Sequence, residues 1–97
     1  MNGAGRQRLE EVALSVLHER ESLDYRELAE RAERSEVETL EQGEGAALVQ
    51  VEVQYLFDSG RSGPVRIIVS VDDGGWRAFV PLTRDTIVAP VEGEASA

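Results

Sequence analysis

The chain has 97 residues, of which 10 are cationic and 19 acidic, giving a formal net charge of -9. At this length folding hides roughly 60–65% of the unfolded chain's surface, enough for one core but not for a deep cleft, so a single domain over residues 1–97 is expected, frayed at 1–5 and 91–97. The absence of cysteine excludes disulfides and thiolate metal sites, and the carboxylate excess argues against nucleic acid as a partner, because phosphate contacts need clustered cations.

Met1 to Gly5 (MNGAG) carries no apolar leader segment, and no run approaches the roughly 18 apolar residues of a membrane span, so a soluble cytoplasmic protein without a membrane partner is expected. From Arg6 to Arg20 the apolar residues Leu9, Val12, Ala13, Val16 and Leu17 recur at intervals of three and four. That spacing predicts an amphipathic helix. A second helix is predicted over 22–34, where Asp24 and Glu27 are spaced as a capping box, Leu23 and Leu28 as a hydrophobic staple, and Tyr25, Leu28, Ala29 and Ala32 form the stripe.

Residues 35–45 (SEVETLEQGEG) mix helix-favouring glutamates with Val37, Thr39 and a Gly-Glu-Gly turn. They read as an edge strand entering a hairpin, with Val37 near Val51 and Thr39 near Val49 on the core face, and Leu40 and Leu48 on the other. From Ala46 the period becomes two: Val49, Val51, Val53, Tyr55 and Phe57 alternate with Gln50, Glu52, Gln54 and Leu56, as in a strand with one buried face. After the Gly/Ser loop Asp58 to Pro64, the alternation resumes with Val65, Ile67, Val69 and Val71. Asp73-Gly74 suits a tight hairpin turn, and a third strand is predicted from Trp76 to about Leu82. That turn sets Val71 opposite Trp76, Val69 opposite Ala78 and Ile67 opposite Val80, with Trp76 closing one end of the core. The fold class is therefore α+β, two N-terminal helices packed on one face of an antiparallel β-meander of four to five strands.

The same register puts Ser70 opposite Arg77, Ile68 opposite Phe79 and Arg66 opposite Pro81 on the far face, with Leu56 nearby. Two short helices cover one side of such a sheet, so Leu56, Ile68, Phe79, Arg66 and Arg77 form a candidate interface for a second copy of the chain or for another protein, by face contact or edge-strand addition.

Other constellations carry less chemistry. Asp72 and Asp73 could hold a divalent cation, but aspartate and glycine have their own reasons to occupy a hairpin turn. His18 is the single histidine, which leaves no His-based zinc site and places it as a surface residue near the end of the first helix. No GxSxG elbow is present for a serine nucleophile, and the loop DSGRSGP lacks the lysine and the following helix of a phosphate cradle. No catalytic, cofactor or metal residues are assigned. A second reading, a small-ligand binder or modest enzyme, would place a pocket between helices and sheet lined by Tyr25, Tyr55 and Trp76.

The segment Leu28 to Gly45, with its LAERA helix, resembles the helix-turn-helix of small repressors. It departs from that pattern at Glu33, where glycine is expected, and at Thr39 and Gln42, where apolar residues are. Glu36, Glu38, Glu41 and Glu44 occupy the would-be recognition helix and would repel phosphate.

Overall fold

The computed structural model of the chain describes residues 3–45, 48–72 and 82–90. Two helices, α1 (Gly3–Glu21) and α2 (Tyr25–Glu33), precede four strands, β1 (Val37–Gln42), β2 (Val49–Phe57), β3 (Val65–Asp72) and β4 (Leu82–Val88). The strands form one antiparallel sheet in the order β1-β2-β3-β4. Helix α1 lies over β3 and β4, and α2 over β2 and β3, so both helices cover the same face.

The alternation in β2 and β3 creates the core. Val51 faces Val71, Val53 faces Val69, Tyr55 faces Ile67 and Phe57 faces Val65 across the central ladder. Into this layer α1 presses Ala13, Val16 and Leu17, and α2 presses Tyr25, Leu28 and Ala32, spaced by three and four residues so that each set shares a helix face. Leu9, Val12, Leu23 and Ala29 pack at its margin. At roughly 1.5–3 kcal/mol per fully buried aliphatic side chain, this layer is the main favourable contribution to folding. Among the described residues no helix is long and apolar enough to cross a membrane.

The start of α2 differs from the capping box its sequence suggests. Asp24 is the N-cap residue, but its side chain makes no capping hydrogen bond. The Glu27 carboxylate instead accepts from Arg31 one turn later, at 2.6 Å. The helix ends in a Schellman motif: the Ser35 amide donates to the Ala32 carbonyl at 2.9 Å and the Glu36 amide to the Arg31 carbonyl at 3.0 Å. Ser35 takes the left-handed position, φ 50°, where glycine is usual.

That turn delivers the chain into β1 with a parity opposite to the expected one. Residues 37–42 are a strand, but Leu40 pairs with Val51 and Glu38 with Val53, so Leu40 and Glu38 face the helices while Val37 and Thr39 face away. This parity buries the larger aliphatic side chain against the core. It also carries the Glu38 carboxylate to Arg20. The strand at these positions also removes the recognition helix that a helix-turn-helix would need.

The pairing of β4 also differs from the expected one. The strand paired with β3 is Leu82–Val88, with Val71 opposite Leu82, Val69 opposite Arg84 and Val65 opposite Val88. Val71 therefore does not pair with Trp76. Residues 73–81 intervene between the strands, so a two-residue turn does not set the pairing. The remainder of the expected third strand, including Trp76, Arg77, Ala78 and Phe79, lies outside the described residues. Moving the partner of Val71 from Trp76 to Leu82 is a shift of six residues, an even number, so the two faces of β3 are assigned as the sequence indicated.

Because a non-glycine residue in the left-handed region is strained, Ser35→Gly should stabilise the protein. The strain relieved exceeds the extra chain entropy of glycine by about 0.5–1 kcal/mol. A rise in the urea midpoint with an unchanged slope would show it.

Candidate functional site

Two regions outside the apolar core concentrate the polar and exposed chemistry of the protein. The first lies where α1, α2, β1 and β2 meet. Arg20 stands in the last turn of α1, Arg31 in the last turn of α2, Glu38 on the helix-facing side of β1, and Tyr55 in β2 beside them.

Arg20 donates to both oxygens of Glu38, from Nε at 3.2 Å and from Nη2 at 2.9 Å, a fork-to-fork contact. The Tyr55 hydroxyl donates to Glu38 Oε1 at 2.9 Å and accepts from Arg31 Nη1 at 3.0 Å. Arg31 also lies 3.6 Å from Glu38, 3.7 Å from Glu36 and 5.1 Å from the centre of the Tyr55 ring. Its Nη2 donates to Glu27. Arg20 reaches Glu19 as well, and Arg34 reaches Glu36.

The Tyr55 side chain threads from the core to this cluster. As a residue it is 1% exposed, so its ring counts as core and its hydroxyl needs a partner. Burial raises the Tyr55 pKa, and the hydrogen bond to Glu38 raises it further against the opposing charges of Arg31 and Arg20. The phenol therefore holds its proton at neutral pH and acts as a donor. For Glu38 burial alone would raise the pKa. The hydrogen bonds from Arg20 and Tyr55 and the charges of both arginines outweigh it, leaving a carboxylate below its ordinary range. The hydrogen bond to Glu38 in turn raises the pKa of Arg20, against the opposing pull of burial. Through these contacts the cluster works as a bolt joining both helices to the sheet.

The sequence places Tyr55 on the buried face but does not reveal this cluster, because the groups that meet there are 18, 24 and 17 residues apart along the chain. No local pattern links them. Of the residues expected to line a pocket between helices and sheet, Tyr25 and Tyr55 are buried in the core and Trp76 lies outside the described residues. Tyr25 instead donates its hydroxyl to the Gly63 carbonyl at 2.7 Å, tying α2 to the loop between β2 and β3.

The second region is the sheet face away from the helices. Of the expected interface residues, Leu56, Ile68 and Arg66 lie there and are half-buried, while Phe79 and Arg77 lie outside the described residues. The pairing places Leu56, Arg66 and Ile87 in one row across the sheet, and Val37, Gln54, Ile68 and Asp85 in the next. Ile68 thus faces Asp85 rather than Phe79. Val37 is 49% exposed and Ile87 45%.

In the midst of these aliphatic groups Arg66 donates to Asp58 from Nε at 2.9 Å and Nη2 at 2.6 Å, and to Asp85 from Nη1. Its partners are these two aspartates. The remaining part of the face is polar: Thr39, Glu41, Gln50, Glu52, Ser70 and Asp72 line an open depression of about 670 Å³. Among the described residues, no group of three or more histidine, aspartate or glutamate side chains is arranged to hold a metal ion.

His18 sits on the exposed side of α1, 3.7 Å from Glu21. Arg61, in the Gly/Ser loop, pairs with Glu33 of α2 at 2.5 Å. Arg84 of β4 pairs with Glu10 of α1 at 3.2 Å, which ties the last strand to the first helix.

Comparison with known families, curated proteins and solved structures finds no match to this chain.

Removing the Tyr55 hydroxyl with Tyr55→Phe leaves the ring in place but deprives Glu38 and Arg31 of a partner. The expected loss is about 1.5–3 kcal/mol, the usual range for hydrogen bonds to charged groups, read from the urea midpoint. The lowered pKa of Glu38 has a further consequence. The unfolded chain takes up that proton first as pH falls, so the stabilisation is complete above the ordinary carboxylate value near ~4.3 and disappears as pH drops through the lowered one. The stability difference between the wild-type protein and Glu38→Gln should therefore shrink as pH falls from about 5 to about 3.

Proposed function

We propose that this protein is an interaction module that self-associates through the sheet face its helices leave uncovered. The observation that carries this reading is the grouping of Val37, Leu56, Ile68 and Ile87 in two adjacent rows of that face, with the Asp58–Arg66–Asp85 group among them. An aliphatic patch rimmed by polar groups is the usual composition of a contact surface.

A second copy fits the patch because it carries both signs of charge. In a twofold contact each surface element meets its counterpart in the partner, so Arg66 of one copy can approach Asp58 or Asp85 of the other, and the reverse holds by symmetry. An overall charge of -9 disfavours association at long range, and a patch with its own cation offsets that locally. Face-to-face packing of two sheets would then stack the layers as helix, sheet, sheet, helix, with inner sheet faces about 10 Å apart.

Light scattering at roughly tens of micromolar should return a mass of two chains, the concentration range in which standard-sized interfaces are populated. Ile68→Lys places an ammonium opposite Asp85, which retains the fold through a cross-strand ion pair. It should weaken association at least about tenfold by burying a charge at the centre of the patch. A wild-type mass of one chain at that concentration would reject the proposal.

A further inference from the structure

Strand β1 is attached unlike the rest of the sheet. Among the described residues it is an edge strand whose only sheet neighbour is β2. None of its six residues is buried: Glu38 and Leu40 are half-buried and the other four are exposed. By contrast, alternate residues are buried along all of β3 and from Val49 to Tyr55 in β2, and β4 is held under α1. The core beneath β1 belongs to β2, whose Val49, Val51, Val53 and Tyr55 are covered by the helices and need little from β1 beyond the margin supplied by Leu40.

What holds β1 besides its ladder with β2 and the packing of Leu40 is charge. Glu38 is bound by Arg20 from α1, by Tyr55 from β2 and by the nearby Arg31 from α2; Glu36, just before the strand, meets Arg31 and Arg34. Glu19 and Glu27 bind the same two arginines from the helices themselves, through other guanidinium nitrogens. Those arginines therefore keep carboxylate partners when β1 leaves, which makes its departure less costly. Both ends of the strand adjoin backbone turns at positive φ, Ser35 at 50° before it and Gly43 at 91° and Gly45 at 57° after it.

We propose that β1 is a releasable strand, opening as a unit with its glutamate side chains while α1, α2 and β2–β4 stay folded, and so uncovering the edge of β2. The released state presents a row of free backbone amides and carbonyls beside Arg20, Arg31 and the Tyr55 hydroxyl. An extended segment carrying a carboxylate at the place of Glu38 and an aliphatic side chain at the place of Leu40 would match that edge, as β1 itself does.

Hydrogen exchange of the full chain tests the release, because amides that open locally and amides that need global unfolding respond differently to the same substitution. Val69→Ala weakens the β3 core that stays folded in the released state. It should speed exchange of the β3 amides about tenfold or more while leaving those of Val37–Gln42 within about twofold. Glu38→Gln weakens an ion pair that is broken in local release and in global unfolding alike, and should speed both sets. In the wild-type protein, low urea should accelerate the β3 amides and leave the β1 amides nearly unchanged, a measurement that holds even should the Val69 variant not fold. Equal acceleration of β1 and β3 by Val69→Ala, or the same urea response in both, would overturn the proposal.

Discussion

The structure depends on the central ladder between β2 and β3, where four consecutive inward pairs, Val51–Val71, Val53–Val69, Tyr55–Ile67 and Phe57–Val65, are all apolar. A one-residue slip would turn every one of them to the opposite face, so the register is set by burial as well as by backbone hydrogen bonds. The helices follow from this plane. Their stripes of buried residues have no other apolar surface to meet, and together they span its width from β2 to β4. With one face so occupied, no third layer covers the other among the described residues. The exposed aliphatic groups there are a consequence of the two-layer solution.

At one corner the core gives way to charge. Tyr55 bridges the two regimes, its ring belonging to the ladder and its hydroxyl to Glu38 and Arg31. Each helix contributes one arginine from its last turn, where a cation also meets the carbonyl end of the helix dipole favourably. The same two residues thereby cap their helices electrostatically and anchor an edge strand that buries little apolar surface of its own. The stability of β1 is thus more electrostatic in origin than that of its neighbours. The two proposals share Val37 of β1: self-association through the outer face would hold that strand in place, and its release would take Val37 out of the patch.

The helices were legible because their apolar residues recur at three and four, and β2 and β3 because theirs alternate strictly. Less of β4 could be read: Leu82-Thr-Arg-Asp-Thr-Ile-Val has no apolar alternation, since Arg84 and Thr86 occupy helix-side positions at a sheet edge where Arg84 finds Glu10 of α1. The Asp-Gly pair after β3 suggested a tight turn with Trp76 opposite Val71; it lies outside the described residues, and Val71 pairs with Leu82 instead. For the candidate interface, the even offset between expected and actual pairing kept Leu56, Ile68 and Arg66 on the outer face while replacing Phe79 by Asp85 as the partner of Ile68.

The sequence by itself determined the α+β class, the two helical stripes, the buried faces of β2 and β3, and the outward placement of Leu56, Ile68 and Arg66. These rest on periodicity, which is a property of neighbouring residues. Only the tertiary structure decided the parity of β1, the pairing of β4 and the assembly of Arg20, Arg31, Glu38 and Tyr55. Each of those joins groups distant in the chain, and the sharing of two arginines among several carboxylates, together with the fit of Leu40 against the core, arises only when both helices lie on the sheet.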